Sequence, residues 1–154
     1  MKEKIFEPLQ MKNTSANVTD FDLQAIRPSV TASKDKGIIE TGFYKEDVTM
    51  HASGGIISTI NDLSKWLSAN IRQDEKLIKK DAWADLHNSS TVQDREYFTY
   101  KRSGYSLGWD VAEYQNEEIL TRFGGLAGIS FHISFMPEKD IGIIAFSTDN
   151  RAFA

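Results

Sequence analysis

Apolar residues recur at two different periods along this chain, and the change of period divides it. Ile60, Leu63, Trp66, Leu67 and Ile71 fall three and four positions apart, on one face of a helix, and Thr59 with Asp62 three positions on forms an N-cap pattern. The spacing predicts a helix over Ile60–Ile71. A shorter helix is expected over Lys79–Leu86, burying Trp83 and Leu86, with Asp81 near its start. Beyond Tyr100 the period falls to two. Tyr105, Leu107 and Trp109 alternate with Ser106, Gly108 and Asp110, and the turn-like pair Gln115-Asn116 precedes Ile119-Leu120, which together predict a strand, a turn and a second strand. Ile129, Phe131, Ile133 and Phe135 alternate with Ser130, His132 and Ser134. Pro137 to Asp140 makes a turn, and Ile141–Ser147 returns as a strand apolar on both faces.

The first third of the chain holds neither period. Residues 1–15 read as the tail of a helix or an entering segment, closed by Pro8 and by the polar run Lys12-Asn13-Thr14-Ser15. From Asn17 to Thr49 the composition is polar, punctuated by Pro28, Gly37 and Gly42, and a long surface excursion with short strands is expected. The fold class that follows is α+β, an antiparallel sheet flanked by helices. Residues 1–50 form the entering segment and long loop region, 51–90 the helical region and 100–150 the sheet, within one unit spanning 1–154.

Composition narrows the chemistry. With 154 residues, 40% hydrophobic and 26% charged, the chain is long enough to bury its own core without metal or disulfide. It has no cysteine, which removes thiolate nucleophiles, Fe–S clusters and cysteine zinc sites but leaves the compartment open. The net charge is −4 and the basic residues are scattered, so nucleic acid is not an expected partner. No apolar run approaches the roughly 20 residues that cross a bilayer as a helix. His51, His87 and His132 share no metal-ligand spacing and read as structural or surface residues; no metal or cofactor is expected. The acidic pairs Asp20/Asp22 and Glu117/Glu118 sit in polar surroundings that do not raise a carboxyl pKa, and read as solvated loop charge.

Two short motifs suggest nucleophilic catalysis and neither has the right setting. Ser33-Lys34-Asp35-Lys36 matches Ser-x-x-Lys, but that chemistry needs the serine opening a buried helix so that a desolvated lysine one turn later serves as base. One such match is expected by chance in a chain this rich in serine and lysine. Tyr114-Gln115-Asn116 matches Tyr-x-Asn in what reads as a hairpin turn. The run Thr121-Arg122-Phe123-Gly124-Gly125-Leu126-Ala127-Gly128 is more informative, with three glycines in five positions between strands. Glycine in a strand marks either a close approach by a ligand or a bulge that bends the sheet. In the first case the open edge pairs with an extended substrate or aims an amide at an oxyanion. Spacing alone leaves both readings open.

Five landmarks in order resemble one family: Ile5-Phe6-Glu7-Pro8-Leu9 with Met11 to Thr14; Gly54-Gly55-Ile56-Ile57-Ser58-Thr59 with Asp62, Leu63 and Trp66; Gly104 to Trp109; Gly124 to Gly128; and Ser134-Phe135-Met136-Pro137-Glu138. They are similar to the serine β-lactamase and penicillin-binding-protein family, on the class C and D-Ala-D-Ala carboxypeptidase side. The resemblance covers about Ile5 to Phe146 and corresponds to the later part of the family's catalytic domain. It implies a partial β-lactamase/transpeptidase-like fold and a serine acyl hydrolase acting on a D-peptide, a β-lactam or an ester.

By the same resemblance, the family's Ser-x-x-Lys and Tyr-x-Asn precede Met1, so this chain is expected to be a C-terminal fragment, inactive alone. Arg122-Phe123-Gly124 aligns with the family's third motif, arginine replacing the usual lysine or histidine, and Gly125 would lend its amide to the oxyanion hole. Arg122, Phe123, Gly124 and Gly125 are the implied substrate-binding residues, with no catalytic residue among these 154. Arginine forks onto a carboxylate but cannot relay a proton, which favours a peptidase or esterase over β-lactam turnover. The resemblance also implies an extracytoplasmic or membrane-anchored parent, a small-molecule or peptide substrate for it, and self-association of the fragment through exposed strand edges. The alternative is a non-catalytic module of the same fold that binds a peptide or protein partner.

Overall fold

The computed structural model describes residues 1–49, 53–97, 100–126 and 128–148. Among the described residues, eight strands and two α-helices are formed: β1 (Val30–Ser33), β2 (Gly37–Glu40), α1 (Ile60–Arg72), α2 (Lys80–His87), β3 (Thr91–Tyr97), β4 (Tyr100–Tyr105), β5 (Asp110–Tyr114), β6 (Glu117–Leu126), β7 (Ile129–Met136) and β8 (Ile141–Ser147). β1 and β2 make a separate hairpin. The other six form one antiparallel sheet in sequential order, β3-β4-β5-β6-β7-β8. The α+β architecture expected from the two periods is the one found.

α1 starts where the cap pattern places it, with the Thr59 side chain accepting from the Asp62 amide, and ends on Gln73 in the left-handed region. Its apolar stripe lies against β7 and β8. Leu67 joins Trp109, Leu120, Ile133 and Phe135 in the core, with Trp66, Ile71, Leu86, Phe131 and Ile144 packed around them. Burying side chains of this size contributes roughly 1.5–3 kcal/mol each. Gly142 lets α1 lie close to the sheet, since a Cβ on it would come within 2.8 Å of Leu67 and displace that side chain. α2 adds Trp83, whose indole N–H donates to the Asp74 carbonyl at 3.2 Å, and His87, whose ring packs edge-on to Phe135.

The entering segment is tied to the start of α1 by one buried carboxylate. Asp62 accepts from the Asn13 amide (2.7 Å), the Thr14 hydroxyl (3.0 Å) and Lys65 Nζ (2.7 Å). Burial alone pushes its carboxyl pKa up, but these donors more than offset it and hold it below the usual carboxylate range. A bridge between Ser15 and Ile57 completes the attachment. The polar region after it contains only two short 3₁₀ turns and the β1–β2 hairpin.

Two strand expectations need correction. Tyr105 to Trp109 is not one strand: β4 ends at Tyr105, and the chain reverses through Ser106–Gly108 before β5 begins at Asp110. Ser106 donates its amide to the Trp109 carbonyl, and Gly108 takes φ +117°, so a glycine turn produces the alternation read as strand period. β3 was not foreseen. It is an edge strand carrying Asp94, Arg95 and Glu96, and it buries too little on either face to leave a two-residue period.

Candidate functional site

The site is built on β6, whose two halves have different neighbours. From Glu117 to Thr121 the strand lies between β5 and β7, with Thr121 opposite Asp110 on one side and Ser134 on the other. Past that point β5 has ended. Arg122 to Leu126 pair only with β7, from Arg122↔Ile133 to Leu126↔Ile129. Among the described residues no strand pairs with them on the β5 side. The register is unbroken, so the glycines introduce no bulge, which removes one of the two readings the sequence left open.

The three glycines differ in what the fold asks of them. Gly128 takes φ +73° and a Cβ there would lie 2.5 Å from the Val30 carbonyl oxygen, so the turn requires glycine. Gly124 and Gly125 have ordinary strand backbone. A Cβ on Gly124 would sit 3.8 Å from Phe131, and one on Gly125 3.8 Å from the Ile129 carbonyl, both normal contacts. Neither packing nor backbone conformation within the described chain calls for glycine at these two positions.

Arg122 is tethered and only half buried. Its guanidinium lies 3.5 Å from Asp110 Oδ2 and 5.5 Å from the centroid of the Tyr105 ring, a cation–π distance. Asp110 is buried and also meets Arg102, 3.4 Å away, so one carboxylate faces two guanidinium groups. A guanidinium oriented this way, with half of its surface in water, suits a bidentate carboxylate partner. Phe123 is turned to an aromatic group instead, with its ring 4.4 Å from His132 and 6.2 Å from Tyr100. Tyr100 stacks nearly parallel to His132, and His132 Nε2 is 3.0 Å from Ser134 Oγ. Burial lowers the His132 pKa.

Asp110, Tyr105 and Arg102 were not picked out by sequence reading. They lie 12 to 20 positions before Arg122, and only the pairing of β4, β5 and β6 brings them to it. The remaining candidates lack the setting that catalysis needs. Ser33 ends β1, where its hydroxyl accepts from the Lys36 amide across the hairpin tip at 3.3 Å. Tyr114 faces Glu117 at the far end of the β5–β6 pair, five residues or about 17 Å along the strand from Arg122. Gln115 and Asn116 both take positive φ, which makes the Tyr-x-Asn match a hairpin turn. His87 is buried, with Nε2 3.2 Å from Asn70 Oδ1; His51 lies outside the described residues. Asp22 caps a 3₁₀ turn and Glu117 pairs with Lys139 at the surface. Among the described residues no cluster of three metal-ligating side chains occurs, and no helix is long and apolar enough to cross a membrane.

An antiparallel sheet with helices against it and a glycine-bearing interior strand open on one side defines a β-lactamase/transpeptidase-like fold. The chain belongs to the beta-lactamase family, whose profile matches residues 1–153. It is similar to an unguisins hydrolase of Aspergillus campestris, 23% identical over 145 residues, covering 93% of this chain and 27% of that protein. Among solved structures it is similar to the octameric penicillin-binding protein homologue from Pyrococcus abyssi, with TM-score 0.81, 23% identity and coverage of 97% of this chain and 33% of that one. It also resembles the D-amino acid amidase from Ochrobactrum anthropi, with TM-score 0.73, 16% identity and coverage of 96% and 42%. At these identities the structural likeness speaks to the fold. The chain spans between about a quarter and two fifths of the length of these relatives.

Proposed function

We propose that this chain is the substrate-cradling, C-terminal portion of a serine acyl hydrolase that acts on a peptide, amide or ester bearing a carboxylate. In this reading Arg122 forks onto the substrate carboxylate, the unpaired edge of Arg122–Gly125 receives the extended substrate as an added strand, and the Gly125 amide serves the oxyanion. Phe123 sets the strand by packing on His132. The observation that carries the reading is the pair Gly124 and Gly125. They are small where nothing within the described chain needs them small, beside an edge with no strand partner. A substrate main chain lying against that edge supplies the reason.

The attacking hydroxyl and its base come, in this proposal, from outside these 154 residues, because Ser33 lies at a hairpin tip and not at the start of a buried helix, and Tyr114 lies at the far end of the β5–β6 pair. The hydrolase and amidase names of the relatives favour acyl transfer over a pure binding role. The binding-module reading rests on the same open edge and differs only in lacking a nucleophile.

The test is an NMR titration of the chain with a short acylated peptide ending in D-Ala-D-Ala, alongside incubation with a fluorescent penicillin. Shifts confined to Arg122–Gly125 and their neighbours, abolished by Arg122→Ala, with no covalent label, are expected. Covalent labelling, or shifts centred on Ser33 or Tyr114, would overturn the proposal.

A further inference from the structure

Arg122 sits at the end of the β4–β5 pair. That pair closes on Tyr105↔Asp110, and Asp110 in turn faces Thr121, the residue before Arg122. Both Tyr105 and Asp110 are themselves fixed. The Tyr105 carbonyl accepts from the Ser90 amide (2.9 Å) and the Ser90 hydroxyl (3.1 Å), and Asp110 Oδ2 lies 3.4 Å from Arg102 Nη2. Side-chain exposure along this chain of ion pairs is 17% at Arg102, 3% at Asp110 and 49% at Arg122. The buried members anchor, and the exposed one is placed to meet a ligand. Each tether takes a different part of the Arg122 guanidinium. Asp110 Oδ2 lies 3.5 Å from Nη1, and among the described residues no acceptor lies within hydrogen-bond distance of Nε or Nη2. The Tyr105 ring centroid is 5.5 Å from Cζ, so the ring backs the body of the group.

We propose that Tyr105 and Asp110 are positioning residues for Arg122, which keep its Nε–Nη2 edge free and ordered so that the site selects a free carboxylate over a neutral carboxamide. This deepens the hydrolase reading and rests on it for the ligand, a peptide laid along Arg122–Gly125. Nε and Nη2 form one edge of a rigid planar fork, and a carboxylate matches that edge with two parallel charge-assisted bonds. An untethered arginine would lose rotamer freedom on making them. One held at Nη1 and backed by a ring has already lost it in folding. A carboxamide has a single acceptor oxygen and turns its own N–H donors toward the second N–H of the fork, which is left unpaired. Tyr105 and Asp110 act through Arg122 and contact no substrate themselves.

Two NMR measurements on the full chain test this: nitrogen relaxation of the Arg122 Nε–H group, and titration with an acylated peptide ending in D-Ala-D-Ala or in its C-terminal carboxamide. In the parent chain the Nε–H group should be ordered, and the carboxylate peptide should bind at least about tenfold more tightly than the carboxamide. Tyr105→Leu and Asp110→Asn should each loosen the Nε–H group, and either gives this readout should the other fail to fold. Tyr105→Leu should also weaken the carboxylate peptide at least about threefold and leave the carboxamide unchanged. Tyr105→Phe keeps the ring and should match the parent in both measurements. In an Arg122→Ala chain, Tyr105→Leu should have no further effect on binding. Nε–H order that survives both Tyr105→Leu and Asp110→Asn overturns this proposal alone, as does equal damage from Tyr105→Phe and Tyr105→Leu or equal binding of the two peptides. A parent chain whose Nε–H group is ordered but which binds neither peptide overturns the hydrolase reading, and this inference falls with it.

Discussion

The two halves of β6 share one strand and one backbone conformation, yet they answer to different demands. Glu117–Thr121 is hydrogen-bonded on both sides and carries Ile119, Leu120 and Thr121 into the interior, where Leu120 is fully buried against the α1 face. Arg122–Gly125 has β7 alone, and holds one half-exposed guanidinium and two glycines whose missing side chains leave room rather than relieve a clash. The first half is explained by the chain. The second is not, and the proposed substrate strand supplies a reason for it.

Thermal or urea unfolding separates the halves most sharply through Leu120→Ala, which should cost roughly 2–5 kcal/mol for lost burial and the cavity left behind. Arg122→Ala, two residues on, should change stability by no more than about 1 kcal/mol, since its ion pair with Asp110 is long and half solvated. Equal losses at the two positions would erase the distinction. Next in size is Gly128→Ala, expected to cost about 2–3 kcal/mol because alanine meets both an unfavourable φ and the Val30 carbonyl.

A smaller effect comes from pH. Burial depresses the pKa of His132, beside Phe123, and of His87, at the end of α2, so the folded state favours their neutral forms. The unfolded chain then binds more protons, and this contribution to stability is complete above the unfolded value of about 6.5 and is lost as pH falls through the depressed folded values. The melting temperature should drop from pH 7 toward pH 5, and less steeply in His132→Gln than in the parent chain. A flat profile over that range would show that neither histidine is held neutral by the fold.

The smallest stability effect should be Gly125→Ala, within about 1 kcal/mol and of either sign, since the added methyl group meets only ordinary contacts and restricts the unfolded chain. Its consequence should appear instead in binding, as at least about tenfold weaker association with the acylated D-Ala-D-Ala peptide. Unchanged binding with an unchanged fold would mean that the glycines do not make room for a ligand.

How far the sequence could be read depended on whether the information was local. The cap at Thr59, the stripe from Ile60 to Ile71, the alternation from Ile129 to Phe135 and the turn at Pro137 are short-range patterns. Each is set by the geometry of one element, and each formed as written. Tyr105–Trp109 misled because a glycine turn can imitate period two over five residues, and β3 was silent because an edge strand with little buried surface has no pattern to show.

The sequence by itself determined the α+β class, the family, and the glycine-rich run that marks the candidate site. Only tertiary structure decided which of those glycines the fold itself requires, that β5 stops one residue short of Arg122, and that Asp110 and Tyr105 converge on its guanidinium. These are consequences of strand register, and register is fixed by burial and pairing between segments far apart in the chain, so no local window contains it.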